Sequence, residues 1–242
     1  MIIFDVDGTI LPGTSCERLF VRYLITKRIL GAKSLLNFVT ALFSLLPQGR
    51  YFMTKANKGY LRGYSAEKMT GIGYDFFGEA VAPLISRAAI ERTRKHQADG
   101  ERVILFSGMP DFLLGNFAAY LSVKEFHGSA MELSAGRFTG RTLGPFPLGR
   151  GKVVALELIL DRHDTGWHAS PSKGEKHVEM GSHPSPGPMT PSEIDWPSIT
   201  FYADHWLDRF LLSNVGHPVV VNGQPRLISL ARANGWPIEE WK

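Results

Sequence analysis

The sequence predicts an α/β fold in which helices cover a parallel sheet. Three short segments are predicted as buried strands, because residues 2–4, 102–106 and 199–203 are apolar at nearly every position and too short for a helix. Stretches with helical periodicity separate the three segments. Short buried strands that alternate with helices form parallel sheets with right-handed crossovers. We therefore expect the three segments to lie side by side in one sheet.

The composition is that of an ordinary globular protein. The 242 residues are 44% hydrophobic and 21% charged, which is enough to bury a full core in one domain or in a domain with an insertion. The net charge is +4, and the basic residues form no block that would predict nucleic-acid binding. Scattered basic residues suit an anionic small molecule equally well.

Cysteine content and the longest apolar stretch predict a soluble, cytoplasmic protein. Cys16 is the single cysteine, so an internal disulfide is excluded, which fits a reducing cytosol. No basic segment precedes an apolar run at the N-terminus, so a signal peptide is not expected. The apolar stretch at 35–46 is too short to span a bilayer, and membrane contact is not expected, with association of the helical insertion with a membrane surface as the alternative.

The first two strands are predicted to enclose a long helical insertion. Residues 15–46 have the apolar spacing of helices, and Ser65 fits a helix N-cap. A further helix is predicted to start at Pro83 and to run towards Gln97. No strand signal interrupts residues 15–99, so this stretch is interpreted as an all-helical insertion followed by one crossover helix.

Between the second and third strands the sequence predicts helices and a hairpin. Pro110 is expected at the first position of a helix that continues to Leu121. Residues 129–142 fit a short hairpin with Gly136 at the turn. A second helix is expected from 149 to about 160. After the third strand we predict a short helix, a strand at 218–221 and a closing helix at 225–234.

Residues 162–198 differ from the rest of the chain. They hold six of the fifteen prolines and four of the eight histidines, and they lack apolar periodicity. We interpret this stretch as an irregular surface loop. Its histidines either form a metal cluster or are scattered along a polar linker, and the absence of cysteine and of tight ligand spacing favours the linker. The four are His163, His168, His177 and His183.

Asp5 and Asp7 are the most informative residues of the sequence. They follow the first strand, and Gly8 and Thr9 then turn the chain out of the sheet. Side chains at positions i and i+2 share a face of an extended chain, so both carboxylates can reach one small volume. With a cation to offset their repulsion, one could act as a nucleophile while the other moves a proton. The alternative is a pair of solvated turn acids.

Polar residues also follow the other two strands. Ser107 and Gly108 come after the second strand, Asp204 and Asp208 follow the third, and Lys152 opens the helix between them. The carboxyl ends of parallel strands meet at one edge of a sheet, where α/β folds bind ligands. Acids for a hard cation, a hydroxyl and N–H groups for anionic oxygens, and a lysine together suit phosphoryl transfer.

In these motifs the sequence resembles the haloacid dehalogenase superfamily, in particular its phosphoserine-phosphatase-like branch. The four motifs occur in the family's order, as DVDGT from Asp5, ILFSG ending at Gly108, Lys152 within GRGKVVAL, and the pair Asp204 and Asp208. The tail VGHPVVVNGQPRLISLARANGW is similar as well.

The resemblance implies an architecture. The core would be a Rossmann-like, three-layer parallel sheet formed by residues 1–12 and 83–242, with 162–198 as an irregular loop insertion. Residues 13–82 would form an inserted all-helical cap that covers the site and selects the substrate.

The resemblance also implies catalytic and substrate-binding roles. Asp5 would attack phosphorus and form an aspartyl phosphate, and Asp7 would protonate the leaving oxygen and later activate water. Ser107 and the Gly108 N–H would bind phosphate oxygens. Lys152 would neutralise charge on the nucleophile and on the transferred group.

Four acids are implied for a Mg²⁺ site. The ion would be held by the Asp5 carboxylate, the Asp7 backbone carbonyl and Asp204. Asp208 belongs to the same group, and it would anchor Lys152 or a water on the metal.

The predicted function is Mg²⁺-dependent hydrolysis of a phosphate monoester. A halide leaves without a proton, whereas an alkoxide needs an acid, so Asp7 favours ester hydrolysis over dehalogenation. A phosphotransferase with the same intermediate and a non-catalytic binding protein that keeps the fold are the alternatives. The expected partner is a small phosphate ester, and the protein is expected to be a monomer or a homodimer.

Two features near the site leave alternatives open. His205 and Trp206 are bulky residues after Asp204, and they either narrow the site, with His205 touching substrate, or point away into the packing. Glu17, Arg18 and Arg22 either contact a polar substrate or form a solvated helix face.

The apolar residues of the cap also have more than one interpretation. They either admit an apolar, lipid-like leaving group, or they form the core of the cap or a dimer contact. These residues are Leu35, Leu36, Phe38, Val39, Leu42, Phe43, Leu45 and Leu46.

Overall fold

A computed structural model describes residues 1–45, 55–163 and 194–241. In this part of the chain the strands are β1 (Ile2–Phe4), β2 (Val103–Pro110), β3 (Glu125–Ser129), β4 (Met131–Ser134), β5 (Arg137–Thr142), β6 (Thr200–Ala203), β7 (His217–Val221) and β8 (Ile238–Glu239). The helices are α1 (Cys16–Thr26), α2 (Ala32–Leu45), α3 (Ala66–Phe76), α4 (Arg87–Ala98), α5 (Asp111–Leu121), α6 (Arg150–His163), α7 (Arg209–Leu212) and α8 (Pro225–Asn234).

Six strands form one parallel sheet in the order β3-β2-β1-β6-β7-β8. The strands β4 and β5 form a separate antiparallel hairpin. The predicted fold class, a parallel sheet core flanked by helices, is confirmed. None of the described helices is long and apolar enough to cross a membrane.

The sheet is covered on both faces, because successive side chains of a strand point to opposite sides. On one face Ile2 and Phe4 of β1 pack with residues of α4 and α5. On the other face Ile3 packs with residues of α6, α7 and α8. All three strand residues are almost completely buried. The sheet therefore forms the middle of three layers and fixes the position of the loops at its edge.

Helices and strands differ from the predicted bounds at several points. The crossover helix α4 begins at Arg87 and not at Pro83, because the Ser86 side chain accepts the Ala89 N–H and caps it there. Pro110 is the N-cap of α5 and not its first helical residue. The short strands β3 and β8 at the two edges of the sheet were not predicted. The N-cap at Ser65 and the hairpin turn at Gly136 agree with the prediction.

The hairpin lies against the helical segment between β1 and β2. The main chain of Gly63 and Tyr64 exchanges hydrogen bonds with Phe138, and the Ala66 N–H donates to the carbonyl of Gly136. Arg137 also donates to the Gly63 carbonyl at 2.9 Å. The hairpin and the segment are therefore fastened together, although they are distant in sequence. The cap bounds 13–82 stay a prediction.

Most of the predicted loop at 162–198 lies outside the described residues. The same holds for His168, His177 and His183, and for the side chain of His163. Within the described part, Trp196–Ser198 form a 3-10 turn directly before β6.

Candidate active site

The candidate site lies beyond the carboxyl ends of β1, β2 and β6. β1 is hydrogen-bonded to β2 on one side and to β6 on the other, so the three loops that follow these strands meet at one point. A cavity of about 420 Å³ opens there. All seven residues predicted for the site line this cavity: Asp5, Asp7, Ser107, Gly108, Lys152, Asp204 and Asp208.

Lys152 joins two of the acids. Its Nζ donates to Asp5 Oδ1 at 2.9 Å and to Asp208 Oδ1 at 2.8 Å, and all three side chains are buried. Burial opposes a charge on Lys152, but the carboxylates of Asp208 and Asp5 raise its pKa above the usual value. The lysine is therefore charged, and Asp208 anchors it beside Asp5.

One oxygen of Asp204 has no hydrogen-bond partner. Its Oδ1 is buried and forms no hydrogen bond with any of the described residues. Burial, and then the negative charges of Asp5 and Asp208, raise the pKa of Asp204 to about 9. Oxygens of these three carboxylates lie within 4.8 Å of one another. One ammonium group here contacts two buried acids and lies beside a third that is partly buried, and a hard divalent cation fits the oxygen donors that remain.

Gly8 allows Asp204 to occupy this position. A Cβ atom at residue 8 would lie 2.1 Å from Asp204 Oδ2, and the φ of +85° favours glycine independently. Asn222 donates to the Gly8 carbonyl at 3.2 Å and accepts the Trp241 N–H at 2.8 Å. The backbone of this turn is thus fixed against the acidic cluster.

Asp7 points away from the acidic cluster, towards the helical segment. Its Oδ1 accepts the N–H of Cys16 at 2.8 Å, and its Oδ2 lies 3.8 Å from Lys55 Nζ. Burial raises the pKa of Asp7, and the charge of Lys55 and the Cys16 N–H oppose this effect in part. Asp5 and Asp7 therefore share the cavity but have different partners.

Ser107 and Gly108 lie within β2, because this strand continues to Pro110 and does not end at Phe106 as predicted. Ser107 is buried, and its Oγ accepts the Met109 N–H at 3.4 Å. The ring of Phe146 would lie 3.3 Å from a Cβ atom at Gly108. A hydroxyl and a backbone without a side chain thus face the cavity at this point.

His205 and Trp206 behave differently from one another. His205 lines the cavity, its Nδ1 accepts the Leu207 N–H at 3.1 Å, and burial lowers its pKa. Trp206 packs against the core on the α6 side of the sheet, and the guanidinium groups of Arg209 and Arg226 lie 4.3 and 4.1 Å from its ring. His205 therefore narrows the cavity, whereas Trp206 points into packing.

The helical segment contributes charged groups to the cavity. Glu17 and Arg18 line it, whereas Arg22 is exposed outside it. The sequence did not indicate Lys55, which also lines the cavity, or Lys58, which is completely buried and donates to Glu17. Asn222 and Gln224, which line the core side, were missed too. The sequence around Lys55 and Lys58 shows no pattern that distinguishes these two lysines from lysines at the protein surface.

The apolar residues of α2 do not line the cavity in the described part of the chain. Leu35, Leu36 and Phe43 are 67%, 62% and 67% exposed. Phe38 is partly buried against the core cluster. The apolar contribution to the cavity comes instead from Met109 and from the segment 146–148.

Comparison with known proteins assigns the chain to a family. The sequence model of the haloacid dehalogenase-like hydrolases matches residues 2–173, more than two thirds of the chain. The chain belongs to this family. This hydrolase is 26% identical over 245 residues to a phosphoserine phosphatase of Mycobacterium tuberculosis, an alignment that covers 99% of this chain and 70% of the relative. It is 25% identical over 246 residues to a histidinol-phosphatase of Neisseria meningitidis, with 100% and 99% covered.

Solved structures share the fold of this hydrolase. A protein of unknown function from Bordetella pertussis has a TM-score of 0.74 at 21% identity, with 99% of this chain and 97% of that chain covered. A phosphoserine phosphatase in its apo form has a TM-score of 0.58 at 13% identity, with 100% and 92% covered. The predicted superfamily is confirmed. Two of the sequence relatives are named as phosphatases, in agreement with the predicted enzyme class.

Proposed function

We propose that this hydrolase cleaves a phosphate monoester through an aspartyl-phosphate intermediate on Asp5. The main support for the proposal is the position of Lys152 between Asp5 and Asp208. Next to them lies Asp204, whose Oδ1 has no hydrogen-bond partner among the described residues. A buried lysine held on a carboxylate orients that carboxylate and reduces its charge while phosphate approaches. The names of the phosphatase relatives point to the same reaction.

In the proposed mechanism each residue acts on a defined atom. One oxygen of Asp5 is held by Lys152, which leaves the other to attack phosphorus. The Ser107 hydroxyl and the Gly108 N–H bind phosphoryl oxygens. Asp7, held by the Cys16 N–H, gives its proton to the leaving oxygen as the ester bond breaks, and then takes a proton from the water that hydrolyses the intermediate.

We propose Mg²⁺ as the cofactor. Asp5, Asp204 and the backbone carbonyl of Asp7 would hold it, and Asp208 would support them through Lys152. When bound, the ion would reduce repulsion among the carboxylates and polarise the phosphoryl group.

The proposed substrate is a small polar ester that fits between the core and the helical segment. The leaving group would face Glu17, Arg18 and Lys55, because these residues line the cavity on the side of Asp7. Glu17 is already paired with Lys58 and accepts a hydrogen bond from Tyr60 at 2.9 Å. Lys55 lies 3.8 Å from Asp7 Oδ2, and Arg18 forms no ion pair among the described residues, so these two cations would face the leaving group.

Hydrolysis of p-nitrophenyl phosphate tests the proposal. We expect turnover by the purified protein that requires Mg²⁺ and that falls by at least about a thousandfold in Asp5→Asn, since the nucleophile is lost. Asp99→Asn, an exposed acid far from the cavity, is the matched control and should keep full activity. Turnover by Asp5→Asn at the rate of the unsubstituted protein would rule out the mechanism.

A further inference from the structure

The helix α2 exposes an apolar stripe. Leu35, Leu36, Val39 and Phe43 are between 37% and 67% exposed. At about 100° per residue these four positions fall within roughly one quarter of the helix circumference. The opposite side of α2 is attached to the protein through Ser34, whose Oγ lies 2.8 Å from the Tyr64 hydroxyl.

The segment of the chain that contains α2 carries charge of one sign. Residues 18–66 contain nine Lys and Arg residues and no Asp or Glu, whereas the rest of the chain has 18 basic and 23 acidic residues. The basic residues are scattered and form no block in the sequence. The absence of acidic residues is apparent only over the whole of residues 18–66. The chain is therefore strongly asymmetric in charge.

Several of these cations are exposed, and one of them lies on α2 itself. Arg22, Arg28 and Lys33 are exposed and form no ion pair among the described residues. Lys27 pairs with Glu79 at 3.0 Å, and both of these side chains are about half exposed. The apolar stripe thus lies on the same helix as Lys33, and Arg28 lies four residues before that helix begins. Neither cation forms an ion pair with a described residue.

We propose that α2 docks on an anionic lipid surface. A helix with exposed leucine and phenylalanine, a polar flank and nearby unpaired basic residues matches the chemistry of the headgroup region, where apolar side chains enter the acyl boundary and cations meet lipid phosphates. A second copy of the chain would bring the same positive charge to the contact, so charge complementarity favours the lipid. This proposal replaces the expectation from the sequence that membrane contact is absent.

Vesicle co-sedimentation tests the proposal. The unsubstituted protein should bind vesicles in which phosphatidylglycerol replaces part of the phosphatidylcholine, and it should bind pure phosphatidylcholine at least about tenfold more weakly. Added salt should weaken binding further. Equal partition into both vesicle types, or no binding to either, would overturn the proposal.

Two variants with matched controls locate the surface. Leu35→Gln combined with Phe43→Gln should reduce binding by about tenfold or more, since the apolar contact is lost. Leu133→Gln combined with Leu143→Gln changes two exposed leucines of the hairpin region and should leave binding unchanged. Lys33→Glu should weaken binding by about fivefold or more, while Lys68→Glu, outside the acid-free stretch, should have a smaller effect.

Activity and oligomeric state are measured on the same variants. Hydrolysis of p-nitrophenyl phosphate in solution should be unaffected, because none of these residues lines the cavity. If the unsubstituted protein fails to bind vesicles but forms a dimer that Leu35→Gln with Phe43→Gln dissociates, the stripe is a contact between copies and the lipid proposal is wrong.

Discussion

At the scale of single residues, Asp204 determines what the site requires. Its Oδ1 is buried without a hydrogen-bond partner among the described residues, and burial together with the charges of Asp5 and Asp208 raises its pKa to about 9. A buried carboxyl group without a partner lowers the free energy of unfolding until a cation or a proton neutralises it. The residue therefore lowers the stability of the protein in the absence of the proposed cation.

Asp204→Asn should raise the stability without Mg²⁺ and reduce the gain in stability that Mg²⁺ provides. In the absence of Mg²⁺ at neutral pH we expect the variant to be more stable than the unsubstituted protein, by about 1–3 kcal/mol, because the Asp204 carboxyl must take up a proton on folding, whereas an amide is already neutral. With Mg²⁺ the unsubstituted protein should gain stability by linkage, and the variant should gain little. Thermal unfolding with a chelator and with Mg²⁺ measures both effects. A variant that is less stable than the unsubstituted protein in chelator would contradict this account.

Residue positions in the site were predictable to different degrees. Asp5, Ser107 and Asp204 could be predicted because each directly follows a short apolar run, and the carboxyl-terminal parts of parallel strands lie side by side. Lys55 and Lys58 could not, since their positions depend on how α1 and the segment from 55 to 61 pack together. Local sequence pattern carries no information about that contact.

At the scale of elements, the edge strand β3 depends on one acid. Glu125 accepts two hydrogen bonds from Arg102 at 2.8 Å and lies 3.1 Å from His127 Nε2. Burial alone would raise the pKa of Glu125, but the hydrogen bonds from His127 and Arg102 outweigh it and lower the pKa to about 2. The pair with Arg102 joins the start of β3 to the residue before β2.

The contribution of Glu125 should depend on pH. Because its pKa in the folded protein is below the usual value of 4.5, the stabilisation is complete above that pH and is lost as the pH falls towards about 2. We expect Glu125→Gln to lower the free energy of unfolding by about 1 kcal/mol at neutral pH, and by less below pH 4. Denaturant unfolding at several pH values tests this. The exposed Glu67→Gln serves as the control, and a pH-independent difference for Glu125→Gln would count against the explanation.

The edge strands also show where prediction from the sequence failed. β3 has the sequence EFHGS, in which polar residues stand where a buried strand would be apolar, and β8 has only two residues. Both strands are defined by hydrogen bonds to a neighbour and not by their own hydrophobic pattern. By contrast, α8 has the predicted bounds, because a helix has enough residues to display its periodicity.

At the scale of the whole molecule, one hydrophobic cluster joins the sheet to the helical segment. Phe20 of α1 is completely buried, and its ring lies 5.0 Å from that of Phe76 in α3 and 5.8 Å from that of Phe112 in α5. The cluster continues to Phe4 of β1. The helical segment and the sheet therefore share a core.

A shared core predicts a single unfolding transition. Phe20→Ala should lower the free energy of unfolding by about 3–5 kcal/mol, because it leaves a cavity between α1, α3 and α5. The transitions followed by near-ultraviolet and far-ultraviolet circular dichroism should move together to lower temperature. Tyr74→Ala, an exposed aromatic of α3, is the control. Two separated transitions would mean that the helical segment folds as an independent unit.

The alternation of strands and helices was sufficient to predict the parallel sheet, since right-handed crossovers leave few other arrangements. It could not predict that the hairpin would attach to the helical segment, because that contact uses main-chain groups of Tyr64 and Phe138, which no side-chain pattern marks. Backbone contacts between residues that are far apart in the sequence are therefore the part of this fold that could not be predicted.

The attachment of the hairpin restricts how the cavity can admit a ligand. Lifting the helical segment off the sheet would either break the main-chain bonds that Gly63, Tyr64 and Ala66 make to the hairpin, or take the hairpin along. The second route keeps those bonds, so the moving body would include β4 and β5. This body would then rotate about four links of the chain. They are the link between β3 and the hairpin, the link between the hairpin and α6, the residues after β1 and the residues before α4.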